Sequence, residues 1–212
     1  MPEFDAIVVG AGPAGSTCAY RLAKAGASVV LLDRARFPRD KPCGGGVTGR
    51  AARLLPFRID PVVEDVCTSV RMRLRYGAWI ERGNGDPLVS MTQRRRLDAY
   101  LAEQAANAGA DFRDGAKVER VEAGDDGVSV VAGGERFDGR TLVGADGVNG
   151  ICARALGLGG NQAVGVAIEG NITYDRLRAD AYRGRIALEL GVVPGGYGWV
   201  FPKGDHVNVG IG

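Results

Sequence analysis

The chain has 212 residues, of which 45% are hydrophobic and 25% charged, and its formal net charge at pH 7 is +2. These values are ordinary for a globular protein with one large core or two smaller ones. They exclude the strongly basic character of a nucleic-acid binder. The longest apolar run falls far short of the ~20 residues that cross a bilayer, so we expect no transmembrane segment.

The N-terminal residues and the cysteines predict the cellular compartment of the protein. Glu3 and Asp5 occupy the positions at which a signal peptide carries positive charge. The cysteines show no C-x-x-C pair, which favours reduced thiols in a cytoplasmic protein; they are Cys18, Cys43, Cys67 and Cys152. His206 is the only histidine, so a histidine triad or a metal site is not expected.

A strand, a glycine-rich turn and a helix open the chain. Asp5 to Val9 predicts a buried strand, and G-x-G-x-x-G follows at Gly10, Gly12 and Gly15. A helix is predicted to about Ala25, then a second strand from Ser28 to Leu32 that ends at Asp33.

This unit predicts a dinucleotide site. Gly10 permits the tight turn, Gly12 lets the backbone approach a pyrophosphate, and Gly15 lets the helix pack closely. Pro13 suits the first helical turn, whose free N–H groups favour phosphate. Asp33 can accept hydrogen bonds from a ribose. A glycine-rich turn without ligand is the alternative, and these residues alone leave NAD and FAD both open.

The chain then departs from a nicotinamide-type domain. Residues 35–47 predict a loop with two prolines and three consecutive glycines, followed by a short helix from Thr48 to Leu55. Apolar and arginine residues alternate from Val70 to Arg75, which is typical of a half-buried strand. Strands are predicted at Val66–Tyr76, Ala78–Arg82 and Pro87–Met91.

A helix from Arg94 to Ala108 returns the chain to the first domain. We then expect a hairpin over 116–122 and 127–132, a short strand from Thr141 to Val143, and a helix from Asn149 to Leu156. Four more strands are predicted at Val164–Ile172, Arg185–Leu190, Tyr197–Phe201 and Val207–Ile211. We expect 57–92 and 162–212 to build one separate sheet. The chain stops within a strand pattern, which predicts a fragment of a longer protein.

Three further motifs suggest chemistry. Residues 41–46, KPCGGG, would let a flat ring lie against backbone beside Cys43; a flexible surface loop is the alternative. Residues 142–147, LVGADG, place an Asp-Gly turn after a strand, with Asp146 as a helix cap as the alternative. In residues 194–202, PGGYGWVFP, the period of a strand puts three aromatic rings on one face, either as a ligand wall or as a core stripe.

The order of these motifs, with QRRRLDAYL at 93–101 between them, resembles the geranylgeranyl reductase family. That family lies within the FAD enzymes that share the fold of p-hydroxybenzoate hydroxylase. The glycine motif and LVGADG mark the wider group, whereas the C-G-G-G loop and the aromatic strand are specific to the reductases. The resemblance covers essentially the whole chain.

The resemblance implies a role for each matching residue. Asp33, a shorter acceptor where the family usually has Glu, would bind the adenosine ribose, and Cys43, Tyr197 and Trp199 would lie at the reacting end of the site. FAD would be held by Gly10, Gly12, Pro13, Ala14, Gly15, Asp33, Arg34, Gly44, Gly45, Gly46, Arg94, Val118, Asp146 and Gly147. Tyr197, Trp199 and Phe201 would line a prenyl tunnel near the C-G-G-G loop.

The implied fold is α/β: a Rossmann-type FAD-binding domain (1–56 and 93–161) with an inserted, mostly antiparallel β-sheet substrate domain (57–92 and 162–212), truncated at its C-terminus. The implied activity is FAD-dependent reduction of C=C bonds in a polyprenyl lipid, diphosphate, pigment or quinone. The electron donor would be NADPH or a reduced ferredoxin-type carrier. If the substrate is a lipid, we expect the cytoplasmic protein to contact the inner face of a membrane peripherally.

Two alternatives stay open. One is an aromatic monooxygenase or halogenase of the same fold, and the other is a truncated FAD-binding module without turnover. The C-G-G-G loop and Tyr197 favour the reductase.

Overall fold

The computed structural model describes residues 3–158, 160, 163–178 and 181–212. The chain divides into two compact units, one formed by residues 1–40 and 95–164 and the other by residues 41–94 and 165–212. Each unit is therefore discontinuous in sequence.

Strands dominate the described residues, with short helices between them. In chain order the elements are β1 (Phe4–Val9), α1 (Pro13–Lys24), β2 (Val29–Leu32), β3 (Gly46–Thr48), α2 (Gly49–Leu54), β4 (Val63–Cys67), β5 (Ser69–Leu74), β6 (Ile80–Gly83), β7 (Val89–Thr92), α3 (Arg94–Asn107), β8 (Asp111–Arg113), β9 (Val118–Gly124), β10 (Gly127–Ala132), β11 (Glu135–Gly144), α4 (Cys152–Ala155), β12 (Ile168–Thr173), β13 (Arg185–Leu190), β14 (Tyr197–Pro202) and β15 (His206–Ile211). Single 3₁₀ turns lie at Asp60–Val62 and Tyr174–Arg176.

The first unit contains a six-stranded sheet in the order β8-β2-β1-β11-β10-β9. Strand β1 pairs in parallel with β2 and β11, and β2 pairs in parallel with β8, whereas β9, β10 and β11 form an antiparallel meander. Both faces of the central strands are buried, which explains their continuous apolar sequences. One face packs Ile7 and Val30 beside Val130, and the other packs Val8 and Leu31 beside alanines of α1 and α3.

The structure confirms the predicted α/β class and corrects several elements of this unit. The third parallel strand, β8, was not expected; it has three residues and forms by pairing with β2 after α3. Strand β11 has ten residues instead of the three predicted at 141–143, because its polar first half pairs with β10. The helix predicted at 149–156 has four residues, since it begins at Cys152 and Gly157, with φ of +67°, ends it.

The second unit contains two sheets. The larger has the order β12-β15-β14-β13-β5-β6, and the smaller has the order β3-β7-β4. Pairing is antiparallel except between β5 and β13. The predicted mostly antiparallel character is thus present.

The expectation of one sheet from 57–92 and 162–212 is wrong. The predicted strand 66–76 breaks at Thr68, so that β4 pairs with β7 while β5 pairs with β13 and β6. Residues 41–56, assigned from the sequence to the FAD-binding domain, cluster with the second unit because β3 pairs with β7. The functional assignment of the two units stays a prediction.

The helices of the described chain are short. The longest, α3, has 14 residues. Among the described residues, no helix has both the length and the apolar sequence needed to cross a lipid bilayer.

Candidate functional site

The glycine motif forms a tightly packed turn in the first unit. Gly10 has a φ of +99°, and its N–H donates to the carbonyl oxygen of Leu32 at 2.7 Å. A Cβ on Gly10 would lie 2.6 Å from the carbonyl carbon of Ala145, and a Cβ on Gly15 would overlap the carbonyl oxygen of Gly10. Side chains at these two positions would push the turn apart.

The N-terminus of α1 suits an anion. Pro13 occupies the first turn as predicted, after Gly12 as the N-cap. Within the described chain, this turn carries no acidic residue and no side-chain cap. Its N–H groups and the positive end of the helix dipole therefore remain available to a phosphate.

Asp33 holds the glycine motif to the end of β2. It is 8% exposed, and one carboxylate oxygen accepts from the N–H of Ala11 at 2.8 Å while the other accepts from the N–H of Ala35 at 2.9 Å. Each carboxylate oxygen keeps a further lone pair for a ribose hydroxyl. Arg34 follows on the surface. Ribose binding by Asp33 stays a prediction.

The Asp-Gly turn after β11 lies against the glycine motif at Ala145. Asp146 caps α4, because one of its oxygens accepts from the N–H groups of Ile151 at 2.6 Å and Cys152 at 3.0 Å. The helix-cap alternative thus describes this side chain. Gly147, with φ of +78°, completes the turn. Burial, reinforced by Asp146, raises the pKa of the Cys152 thiol to about 12.

Two further predicted cofactor residues, Arg94 and Val118, each lie at the first position of a secondary-structure element. Arg94 is the first residue of α3, one turn before the fully buried Asp98. Asp98 forms an ion pair with Arg39 at 2.8 Å. The side chain of Val118, at the start of β9, packs into the core. A backbone contact of Val118 with a ligand stays a prediction.

The first unit thus fits the diphosphate of a dinucleotide. Close packing at Gly10 and Gly15 clears side chains from the turn, and α1 points its N-terminus at that turn. No cluster of metal-binding side chains occurs in the part of the chain that the structure describes.

The C-G-G-G loop in the second unit is held at each residue from Cys43 to Gly45. The N–H of Cys43 donates to Glu169 at 2.8 Å, and the carbonyl oxygen of Gly44 accepts from the Lys203 ammonium at 2.6 Å. The carbonyl oxygen of Gly45 accepts from the N–H of Thr92 at 2.8 Å and from its hydroxyl at 2.9 Å. These contacts argue against the flexible-loop alternative, and Cys43 itself is exposed.

The aromatic strand β14 confirms the expected shared face. The ring centroids of Tyr197 and Trp199 lie 5.9 Å apart, and those of Trp199 and Phe201 lie 6.2 Å apart. Trp199 donates from its indole nitrogen to Asn208 at 2.8 Å, and Asn208 donates in turn to Asn171 at 3.0 Å. The indole is therefore fixed by a hydrogen-bonded pair rather than by apolar packing alone.

The loop and the aromatic strand meet within the second unit. A Cβ on Gly44 would lie 2.7 Å from the Phe201 ring and 3.4 Å from the indole nitrogen of Trp199. Tyr197 is 45% exposed, so the rings do not form a dry core stripe. The predicted position of the loop beside the rings is thus present, whereas its position beside a flavin ring stays a prediction.

Four residues that fix this cluster were missed by the sequence analysis: Thr92, Glu169, Lys203 and Asn208. Lys203 is only 2% exposed, and burial lowers the pKa of its ammonium to about 8, with the nearby carboxylate of Glu64 opposing the shift. A lysine in a turn between two strands normally has an exposed side chain, so no local sequence signal indicates the burial of Lys203.

Comparison with known proteins decides the family. The family model described as FAD binding domain matches residues 3–192. The chain belongs to the FAD-binding domain family. Among the relatives of the chain, geranylgeranyl diphosphate reductase of Rhodobacter capsulatus is 37% identical, and menaquinone reductase of Mycolicibacterium smegmatis is 36% identical. The matches cover 99% and 98% of this chain, respectively, and 54% of each relative.

Solved structures agree with the sequence relatives. A geranylgeranyl bacteriochlorophyll reductase-like protein of Thermoplasma acidophilum matches with a TM-score of 0.82 at 25% identity, over 98% of this chain and 56% of that chain. The halogenase PltM shares the fold at 20% identity, with a TM-score of 0.78 over 99% of this chain and 51% of its own. These matches confirm the resemblance to geranylgeranyl reductases. The chain spans about half the length of the relatives it matches.

Proposed function

We propose that the protein reduces isolated C=C bonds in a polyprenyl chain, with FAD as its cofactor. The observation that carries this proposal is the cluster in the second unit, where the C-G-G-G loop packs on the rings of Trp199 and Phe201. Relatives whose names specify reductases of geranylgeranyl diphosphate and menaquinone favour the same chemistry.

The first unit would hold the cofactor. Gly10, Gly12 and Gly15 would admit its pyrophosphate, the N-terminus of α1 would face the phosphates, and Asp33 would accept from the ribose. When bound and reduced, FAD supplies the hydride that an isolated alkene, a poor electrophile, requires.

The second unit would hold the substrate. The rings of Tyr197, Trp199 and Phe201 offer a flat apolar wall along which a prenyl chain can lie while water is excluded. The hydroxyl of Tyr197 and the thiol of Cys43 are exposed in this unit. Either group is suited to donate the proton that the second carbon of the double bond takes up.

The substrate would be a prenyl diphosphate or a prenyl lipid, pigment or quinone. A lipid substrate would bring the protein into peripheral contact with the inner face of a membrane. The electrons would come from NADPH or from a reduced ferredoxin-type carrier.

The test measures flavin reoxidation in the absence of oxygen. The protein, expressed at its natural length, is reduced chemically and mixed anaerobically with geranylgeranyl diphosphate. We expect the flavin absorbance to return in step with substrate concentration, whereas the fully saturated C20 diphosphate should leave it bleached. A flavin that stays reduced with every prenyl substrate would contradict the proposal.

The fold shared with halogenase PltM supports one second candidate, an oxygen-dependent hydroxylase or halogenase. This candidate predicts reoxidation only after oxygen is admitted, with transfer of oxygen or halogen to an aromatic substrate. Retained flavin without either reaction would instead indicate a binding module.

A further inference from the structure

A buried lysine donates hydrogen bonds to the backbone of the C-G-G-G loop and of the neighbouring strand β7. The Lys203 ammonium donates to the carbonyl oxygen of Gly44 at 2.6 Å and to that of Thr92 at 2.7 Å. On the other side, Glu169 accepts from the N–H of Cys43. The N–H of Cys43 and the carbonyl oxygen of Gly44 are thus each held by a charged side chain, one from β12 and one from the turn after β14.

Burying the Lys203 ammonium in this arrangement costs free energy of folding. Both acceptors of Lys203 are neutral carbonyl groups, and the side chain is 2% exposed. Taking an ammonium out of water is unfavourable, and carbonyl dipoles compensate for it less well than a paired carboxylate does. The carboxylates of Glu64 and Glu169 and the thiols of Cys43 and Cys67 face the ammonium at longer range.

The glycines make room for this contact. Gly45 is buried and has a φ of +67°, and a Cβ there would lie 2.6 Å from the Lys203 nitrogen. A Cβ built on Gly44 would lie 2.7 Å from the Phe201 ring. The loop therefore contacts a buried cation at Gly45 and an aromatic ring at Gly44, and a side chain at either glycine would push the corresponding partner away.

We propose that Lys203 is a positioning residue, which fixes the C-G-G-G loop on the aromatic strand and thereby sets the place of Cys43 relative to the bound alkene. This inference rests on the proposed function for its link to catalysis. The loop contact itself does not depend on that function. Lys203 does not touch the substrate in this account, because it lies buried beneath the loop.

The experiment replaces Lys203 with Met, which keeps an unbranched side chain one atom shorter and removes the donor. Exposed Lys41→Met is the matched control, since it removes the same charge two residues before Cys43. Amide hydrogen exchange of residues 43–46 is measured in both variants. We expect exchange roughly ten-fold faster or more in Lys203→Met and unchanged exchange in Lys41→Met. Unchanged exchange in a folded Lys203→Met protein would overturn the proposal.

A second variant covers the case in which Lys203→Met does not fold. Lys203→Gln keeps a neutral donor on a shorter side chain, so its loop should exchange faster than that of the wild type. Where Lys203→Met also folds, the loop of Lys203→Gln should exchange more slowly than that of Lys203→Met and part of kcat should be recovered. In variants that reduce prenyl substrate, we expect kcat to fall roughly ten-fold with KM changed less than about two-fold. A fall in affinity with unchanged kcat would contradict a positioning role.

The two readouts separate the two proposals. Suppose that the loop exchanges faster in Lys203→Met and that the wild type reduces no prenyl substrate. The role of Lys203 in holding the loop would then stand, and the proposed function would be overturned. Normal exchange together with active reduction would overturn the role of Lys203 and leave the proposed function standing.

Discussion

Gly12 differs from its neighbours in the glycine motif. Gly10 and Gly15 are required by the fold itself, because a Cβ at either position would meet backbone. Gly12 has φ of −74° and ψ of −176°, a conformation open to any residue. The backbone conformation at Gly12 therefore does not oppose a side chain, in contrast to the positive φ of Gly10.

We predict that Gly12→Val folds but does not retain FAD, since the side chain would occupy the space that the pyrophosphate needs. The loss of a good N-cap should cost only about 1 kcal/mol of stability. The measurement is the ratio of flavin to protein after purification, with Gly124→Val as the control because nothing lies within 4 Å of that position. Stoichiometric flavin in Gly12→Val would contradict the assignment.

The depressed pKa of Lys203 predicts a pH dependence of stability. Its pKa is about 8 in the folded protein and near 10.5 in the unfolded chain. Between these values the unfolded chain binds more protons, so the free energy of unfolding rises with pH. From pH 7 to 9 we expect the wild type to gain about 1 kcal/mol relative to Lys203→Met.

Denaturant titrations at pH 7, 8 and 9 check this expectation. The buried thiols of Cys67 and Cys152, whose pKa values are raised from 9 to about 12, begin to act in the opposite sense near pH 9. The comparison with Lys203→Met removes most of this contribution, because both proteins carry the two thiols. Parallel stability curves for wild type and Lys203→Met would show that the lysine is solvated.

At the scale of elements, β14 carries the substrate prediction. Trp199→Ala should weaken binding of a prenyl substrate roughly ten- to hundred-fold, because a buried ring of this kind contributes about 1.5–3 kcal/mol. FAD retention should be unchanged. The control is Trp79→Ala, since Trp79 stacks on Arg71 and Arg73 at 4.4 and 4.3 Å. Equal losses in the two variants, measured as KM, would contradict a substrate wall on β14.

The helices and strands that could be predicted are those whose own sequence shows a periodic apolar pattern or a glycine that marks the end of the element. Strands β1, β2 and β13 to β15 and helices α1 and α3 lie close to their predicted positions, because apolar periodicity and glycine turns mark them. Strand β8 and the first half of β11 were not predictable, because their pairing partners, rather than their apolar content, stabilise them.

At the scale of the whole molecule, the glycine motif and the Asp-Gly turn lie in one unit, and the loop and the aromatic strand lie in the other. The domain division predicted from the sequence instead assigned the loop, within residues 1–56, to the FAD-binding domain. The contacts that fix these motifs came only from the structure. Glu169 and Lys203 lie more than 120 residues from the loop in sequence, and no local pattern indicates such pairing. The division of the strands into two sheets was missed for the same reason.

The mass of the product tests the central claim most directly. Protein of natural length, loaded with reduced FAD, is incubated anaerobically with a panel of prenyl substrates, and the products are measured by mass spectrometry. We predict a gain of two hydrogens for each double bond reduced, with loss of this gain in Gly12→Val. Unchanged masses across the panel, or a gain of oxygen or halogen once oxygen is admitted, would contradict the account.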